Sequence, residues 1–433
     1  MIDSLSSSEN RFSSIFQNRN FRLLWLSQVF GQSAQNAIVF VLMVMMEELT
    51  RSSALVGLMV LVVNLPSILL SLPTGVVVDR FRKKRILVFC NVSRVFVVLG
   101  FVFINRVAEG RGLLTAVYGL TFVLSTIGQL SDPAESAMVP LLVGGDQLLT
   151  ANSVFHLLFN VAQVLGLLVL APVSLKLGGV DGAFVAISAA YLLTAGLIGP
   201  ISVHEPPPER HSTGDAVRRF WDELRAGVSF ILSRKLVSVA IAQHALISVL
   251  SMIIAVLAPG FFTRVLGMQP TDAVYIFFSA GLGMFLTTMW TGQLGHRFRR
   301  ETLAATGLLL AGLAMLGFTF VASRSDMHVA GGLPASTQTV MVVVGMAILL
   351  GVGGTLAAIA IQTTVQELAP RGMRGRVISA EFLIANITGL IPMLLISGLA
   401  DVIGIPLVLV GLSTVVLVSS LLSFRVRSSR RDV

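Results

Sequence analysis

Twelve apolar runs of roughly 20 residues, parted by short charged or Gly/Pro-rich breaks, occupy most of this 433-residue chain. A run of that length crosses the hydrocarbon of a bilayer when helical, and within hydrocarbon a helix satisfies its own backbone hydrogen bonds. The fold class that follows is an all-α membrane protein. In the first half the runs extend from Leu23 to Met46, Ala54 to Val78, Ile86 to Asn105, Leu113 to Ser131, Leu148 to Ala171 and Gly182 to Pro200. In the second they extend from Val237 to Thr263, Thr271 to Leu294, Thr302 to Ala322, Gln338 to Gln366, Val377 to Ala400 and Gly404 to Phe424. With 55% hydrophobic and 12% charged residues, and a mean hydropathy of +0.86, the composition is far from that of a water-soluble domain.

Basic residues choose the orientation. Of the 31 Lys and Arg, 24 fall in the two tails and the loops on the same side, six fall in the opposite loops, and Arg94 lies within a span. By the positive-inside rule both termini are expected in the cytoplasm, in a multi-pass protein of the inner (cytoplasmic) membrane. The net charge of +9 is then a topology signal and an attraction to anionic lipids of the bilayer. It is divided among loops and lines no single groove, so nucleic-acid binding is not expected. Cys90 is the one cysteine, which leaves no disulfide or thiolate metal site within a monomer, the expected state. The polar, serine-rich stretch before Asn20 has no apolar core, and a removable signal peptide is not expected.

A short charged elbow occurs twice. Gly75, Asp79, Arg80, Phe81, Arg82 and Lys83 follow the second span, and Gly292, His296, Arg297, Phe298, Arg299 and Arg300 repeat the spacing after the eighth. Gln163 and Gly166 of the fifth span likewise align with Asn386 and Gly389 of the eleventh. The chain therefore divides into a tail (1–22), a six-helix bundle (23–202), a cytoplasmic linker (203–236), a second pseudo-symmetric six-helix bundle (237–424) and a basic tail (425–433). Within the linker, Phe220, Trp221, Leu224, Val228, Ile231 and Leu232 recur at helical spacing, which suits a helix lying on the membrane surface. Two such bundles around a midplane site are the arrangement of an alternating-access transporter.

Polar side chains inside the spans mark the candidate sites, because amides facing lipid are costly. Gln28, Gln32 and Gln35, followed by Asn36, form a stripe on the first span, and Asn152, His156, Asn160 and Gln163 form one on the fifth. His244, Ser248 and Ser251 on the seventh span and Gln362 with Gln366 on the tenth make shorter stripes, and Asn386 lies on the eleventh. Each stripe reads equally as substrate-cavity lining or as hydrogen bonding between helices. Glu381 is the most interior carboxylate: it is a candidate coupling group, or else a first-turn acid paired with a nearby arginine. Arg94 requires a carbonyl, an acid such as Asp79, or a route for its head group to water. No phosphate loop, paired catalytic carboxylates or zinc-spaced His/Cys set occurs, so no enzyme, cofactor or metal is expected. Gly351, Gly353 and Gly354 read as close helix packing or a bend.

The elbow from Gly75 to Arg85 resembles the loop signature of the major facilitator superfamily, and the span count, linker and repeat extend the resemblance over essentially the whole chain. Asn18 to Gln28, Asp132 to Asn152 and Pro370 to Ser379 are similar to the branch holding enterobactin-exporter-like and macrolide-efflux-like proteins, and the fourth-to-fifth-span stretch looks somewhat like lysophospholipid transporters. The resemblance implies a conformational latch: Asp79 against the start of the eleventh span, with Arg82 and Lys83 reaching Asp132 or Glu135. In the second elbow, with Gly292, His296, Arg297 and Arg300, a histidine replaces the acid and the latch is expected to be weaker. The first span lacks the acid common in the efflux branch, the fourth lacks a buried arginine, and the fifth keeps only Gly166, Pro172, Gly178 and Gly179 of the antiporter pattern. These departures weigh against simple proton antiport. The expected function is secondary active export of a small amphipathic or largely apolar compound, drug or siderophore-like, with proton or ion coupling open. Lipid or lysophospholipid transport is the alternative, and a non-transporting scaffold or sensor the alternative of another class.

Overall fold

The computed structural model describes residues 16–143, 148–203, 228–294, 298–329, 337–368 and 374–428, with single positions 205, 222, 225 and 226; some side chains within helices fall outside this description. Among the described residues the chain is helical almost throughout, and we number its helices α1 (Arg19–Thr50), α2 (Ser53–Arg80), α3 (Lys83–Val107), α4 (Gly110–Leu142), α5 (Leu148–Leu165) and α6 (Ala171–Ile198). They continue as α7 (Lys235–Gly260), α8 (Val274–Leu294), α9 (Arg300–Val329), α10 (Thr337–Leu368), α11 (Arg374–Ile403) and α12 (Ile405–Ser428). Among the described residues ten segments are long and apolar enough to cross a membrane, and one of them, Val161–Ile198, runs from the fifth crossing into the sixth. The helix passes from α5 through a π-turn at Gly166–Leu170 into α6, and Gly179, with φ 61°, separates the two crossings. That backbone conformation is open to glycine and disfavoured for other residues. The apolar stretch Thr388–Ile403 of α11 supplies the remaining crossing.

Helix ends differ from the sequence expectation in an instructive way. The fourth span was expected to stop at Ser131, yet α4 runs through Pro133 and Pro140 to Leu142. A proline removes one backbone bond without stopping a helix that is held by its neighbours. Asp132 and Glu135 therefore lie inside a helix and not at its end. In the linker, residues 228–233 are helical, with Ile231 buried and Leu232 exposed; Phe220, Trp221 and Leu224 lie outside the described residues.

Two compact units divide the chain, Met1–Met45 with Met59–Ala216 and Met46–Leu58 with Val217–Val433. In the first, α3 packs on α4 and α6; in the second, α9 packs on α10 and α12. The same pairing six helices later is the structural form of the internal repeat. Outward faces are apolar: Phe89, Phe96 and Phe103, seven residues apart on α3, are 68%, 69% and 66% exposed, as expected of side chains solvated by lipid.

Small residues bring helices together in the second unit. A methyl group built at Gly353 of α10 would lie 2.6 Å from the carbonyl oxygen of Gly307 on α9, and one at Gly351 would collide with the backbone of Ala280 on α8. Gly354 has open space beside it. The close-packing reading therefore holds for Gly351 and Gly353, where backbone meets backbone. Gly353→Ala is expected to lower the melting temperature in detergent by the equivalent of about 1 to 3 kcal/mol, the cost of overpacking. Gly354→Ala is expected to leave the melting temperature unchanged or to raise it slightly, because alanine is the better helix former.

Candidate functional site

Three buried polar clusters stand out against the apolar helices. The first lies in the first unit, where the α1 stripe meets α3, α4 and α6. Gln28, Arg94 and Glu135 are buried, at 5%, 4% and 8% exposure. Gln28 and Gln32 of α1 lie beside the Glu135 carboxylate. The Arg94 guanidinium stacks over the Tyr191 ring, 5.2 Å from its centroid, and the Tyr191 hydroxyl donates to Oε1 of Gln35 at 3.1 Å. Gly128 leaves room for the cation: a methyl group there would lie 3.3 Å from Nη2 of Arg94. Asn36 turns inward on its own helix, donating to the Gln32 carbonyl at 2.8 Å.

This cluster redistributes the residues assigned to the latch. Glu135 and Arg94 lie with the glutamine stripe and Tyr191, and Asp132 is exposed. The side chains of Gly75 and Asp79 lie outside the described residues, so no Arg94–Asp79 contact can be stated. At the elbow, Arg82 is exposed and the backbone N–H groups of Lys83 and Lys84 donate to the carboxylate of Glu205, at 2.6 and 3.1 Å. Glu205 therefore caps α3, a partner that sequence reasoning missed because it lies across the bundle in the linker. In the second elbow, Arg300 pairs with Glu367 at 3.2 Å, an exposed bridge worth about 0 to 1 kcal/mol. The Gly292 side-chain position and the whole of His296 and Arg297 lie outside the described residues. So do the side chains of Asn152, His156, Asn160 and Asn386, while Gln163 is exposed and Gln362 half-buried.

The second cluster joins α7 to α11 in the second unit. Nδ1 of His244 lies 2.8 Å from Oε1 of Glu381, whose side chain is 2% exposed. Neither carboxylate oxygen accepts an aligned hydrogen bond among the described residues. Among the described residues the partner of Glu381 is an imidazole from another helix. His244 shares a face of α7 with Ile247, Ser251 and Ile254, at steps of three, four and three. Those three residues line an apolar cavity of about 240 Å³ that is completed by Phe277, Met284 and Met315 from α8 and α9 and Gly351 from α10.

The third cluster was not anticipated. Glu47, at the end of α1, accepts a hydrogen bond from Thr263 at 2.7 Å and lies 3.3 Å from Nε of Arg264. Arg264 also pairs with Asp401 at 2.7 Å and donates to the Ser53 hydroxyl. Asp401 in turn accepts the backbone N–H groups of Ser53 and Ala54, at 2.8 and 2.9 Å, and so caps α2. Residues 46–58 belong with the second unit, which is why these charges meet. Each ended an apolar run alone in the sequence, and no local spacing links them. Gly260 keeps the space beside the guanidinium free, since a methyl group there would collide with Nη2 of Arg264.

Apolar helices of crossing length in two units with matching internal packing are those of a multi-pass membrane transporter. The chain belongs to the Major Facilitator Superfamily, whose sequence profile matches residues 24–391. It is 25% identical over 323 residues to an uncharacterized MFS-type transporter, YkuC, of Bacillus subtilis (strain 168), covering 70% of this chain and 72% of that one. A second uncharacterized MFS-type transporter of the same organism, YjbB, is 27% identical over 212 residues, 48% of this chain and 51% of YjbB. In fold the chain is similar to a bacterial homologue of the iron transporter ferroportin in an inward-facing state, with a TM-score of 0.68, 16% identity and coverage of 94% and 97%. It is also similar to the nucleoside transporter NupG, with a TM-score of 0.71, 10% identity and coverage of 94% and 98%. At those identities the likeness speaks to fold and not to cargo. The family identified from the elbow is the family found, and the protein is a transporter rather than an enzyme.

Removing one partner of a buried charge cluster costs more than removing the set. Arg264→Gln leaves Glu47, 1% exposed at its side chain, without its counter-charge, and the expected loss of stability is about 3 kcal/mol. Glu47→Gln combined with Arg264→Gln is expected to recover most of that loss in thermal unfolding. A double variant no more stable than Arg264→Gln alone would mean that the Glu47 charge is not what Arg264 balances.

Proposed function

We propose that this protein is a proton-coupled secondary exporter of small amphipathic or largely apolar compounds, drug or siderophore-like. The observation that carries this reading is the buried His244–Glu381 pair on an α7 face that also lines an apolar cavity. With one proton between them, imidazole and carboxylate are neutral overall; gaining or losing a proton leaves a net charge in a low-dielectric interior, where charge is costly. A proton taken up or released there favours whichever conformation gives the pair water, and differential stability of two conformations is what drives alternating access.

The cavity supplies the substrate class. At about 240 Å³ it is slightly below the range typical of drug-sized ligands, so it suits a small apolar molecule or the apolar part of a larger amphipath. Its walls are aliphatic, aromatic and thioether groups with few polar atoms. The glutamine stripe of α1 adds neutral hydrogen-bonding capacity in the first unit. Export, in the manner of the enterobactin and macrolide branch, is favoured by the branch-like segments near Asn18, Asp132 and Pro370, and the basic asymmetry supports an inner-membrane protein with both termini in the cytoplasm.

Proteoliposomes with an imposed pH gradient test the proposal, with a macrolide and a catecholate siderophore as cargo and a lysophospholipid as the competing cargo. The wild type is expected to drive macrolide or siderophore flux against its gradient. Glu381→Gln is expected to abolish gradient-driven flux while keeping substrate exchange at equal concentrations, because a neutral amide holds the cavity but cannot release a proton. Unchanged gradient-driven flux in that variant would remove the coupling assignment, and flux of the lysophospholipid alone would replace the substrate class.

A further inference from the structure

A second concavity has opposite chemistry. In the first unit a groove of about 1230 Å³ runs between the start of α3 and the chain leaving α6, lined by Arg82, Lys84, Arg85, Phe89 and Val92 on one side and by Gly199, Ile201, Ser202, Val203 and Glu205 on the other. We propose that this groove binds one anionic diacyl phospholipid, its phosphate held by Arg82, Lys84 and Arg85 and an acyl chain lying along Phe89 and Val92.

Geometry and charge both lead to that occupant. Arg85, Phe89, Val92 and Phe96 follow steps of four, three and four, so they share one face of α3, and Arg82 stands at its N-cap. Cations occupy one end of the face, and exposed apolar side chains continue from it, with Phe89 and Phe96 at 68% and 69% exposure. Phe89 to Phe96 spans about 10 Å of helix, within one leaflet of a ~30 Å hydrocarbon core. A soluble anion would use the cations and leave that apolar wall idle; a zwitterionic lipid would use the wall and leave the cations unbalanced. The end of α3 is not itself the attraction, since Glu205 already accepts the N–H groups of Lys83 and Lys84. With its one negative charge so engaged, the groove keeps an excess of cationic side chains, and among the described residues none of Arg82, Lys84 and Arg85 forms an ion pair. Basic pockets between helices at the cytoplasmic surface recognise anionic head groups by this means.

Native mass spectrometry of the detergent-purified full-length protein tests the assignment, with dioleoylphosphatidylglycerol titrated against dioleoylphosphatidylcholine. The wild type is expected to retain one phosphatidylglycerol in preference to phosphatidylcholine, and sn-glycerol 3-phosphate is expected not to displace it. Removal of a surface cation weakens such binding about fivefold, so Arg82→Gln with Arg85→Gln is expected to lower the preference about 25-fold, while Arg82→Lys with Arg85→Lys retains most of it. Arg299→Gln, which removes a charge from the second elbow, is expected to change nothing. Thermal unfolding of each variant in phosphatidylcholine checks that the fold is intact. Equal retention of the two lipids by the wild type, unchanged preference in the double glutamine variant, or displacement by glycerol phosphate would each overturn the proposal.

Discussion

Inside a bilayer a backbone N–H or C=O has no water to turn to, and leaving one unpaired costs several kcal/mol. Everything else in this protein is arranged under that condition. It is why an interior with Pro133, Pro140, Pro259 and Pro392 within its helices still forms helices: neighbours and local adjustments take up the freed groups, as in the π-turns at Gly166–Leu170 and Phe261–Val265. It is also why helix ends are closed by acids drawn from far along the chain. Glu205 caps α3 and Asp401 caps α2, each giving a formal charge to the positive end of a helix.

The same medium decides what happens to side-chain charge. Charged groups are found together, Arg94 with Tyr191 and the neighbourhood of Glu135, His244 with Glu381, and the buried Glu47 with Arg264, which also reaches the exposed Asp401. A cluster of this kind contributes little net stability against a well-packed apolar replacement, but breaking it by one member is expensive. That asymmetry suits a transporter. Such a cluster holds its arrangement firmly as long as every member is present. The Glu47–Arg264–Asp401 set gathers the α1–α2 turn and the ends of α7 and α11, and the His244–Glu381 pair adjoins the apolar cavity along α7, so charge and cavity are connected through a single rigid helix.

Packing in the second unit follows from the weakness of the hydrophobic effect between helices already in lipid. Close approach must come from small residues, and Gly307 with Gly353, and Gly351 with Ala280, provide it. Large apolar side chains are buried between helices, as Phe262 is, and also face outward, as Phe89, Phe96 and Phe103 of α3 do in the first unit, an exposure that needs no compensation in this solvent.

The sequence by itself determined the class, the twelve crossings, the two-unit repeat and the family, because run length, hydropathy and the repeated elbow are local quantities that can be read along the chain. It singled out Arg94, Glu135, His244 and Glu381 as polar groups that needed partners. Only the tertiary structure decided the partners: Arg94 stacks on Tyr191, and Glu381 meets an imidazole. Glu47, Asp401 and Glu205 escaped notice, and Arg264 was counted only as a loop charge. The physical reason is common to all of these. A buried charge announces its need for a counter-charge through its own composition and position, but the identity of that counter-charge depends on which helices pack side by side, and helix packing in lipid is settled by contacts between residues up to hundreds of positions apart.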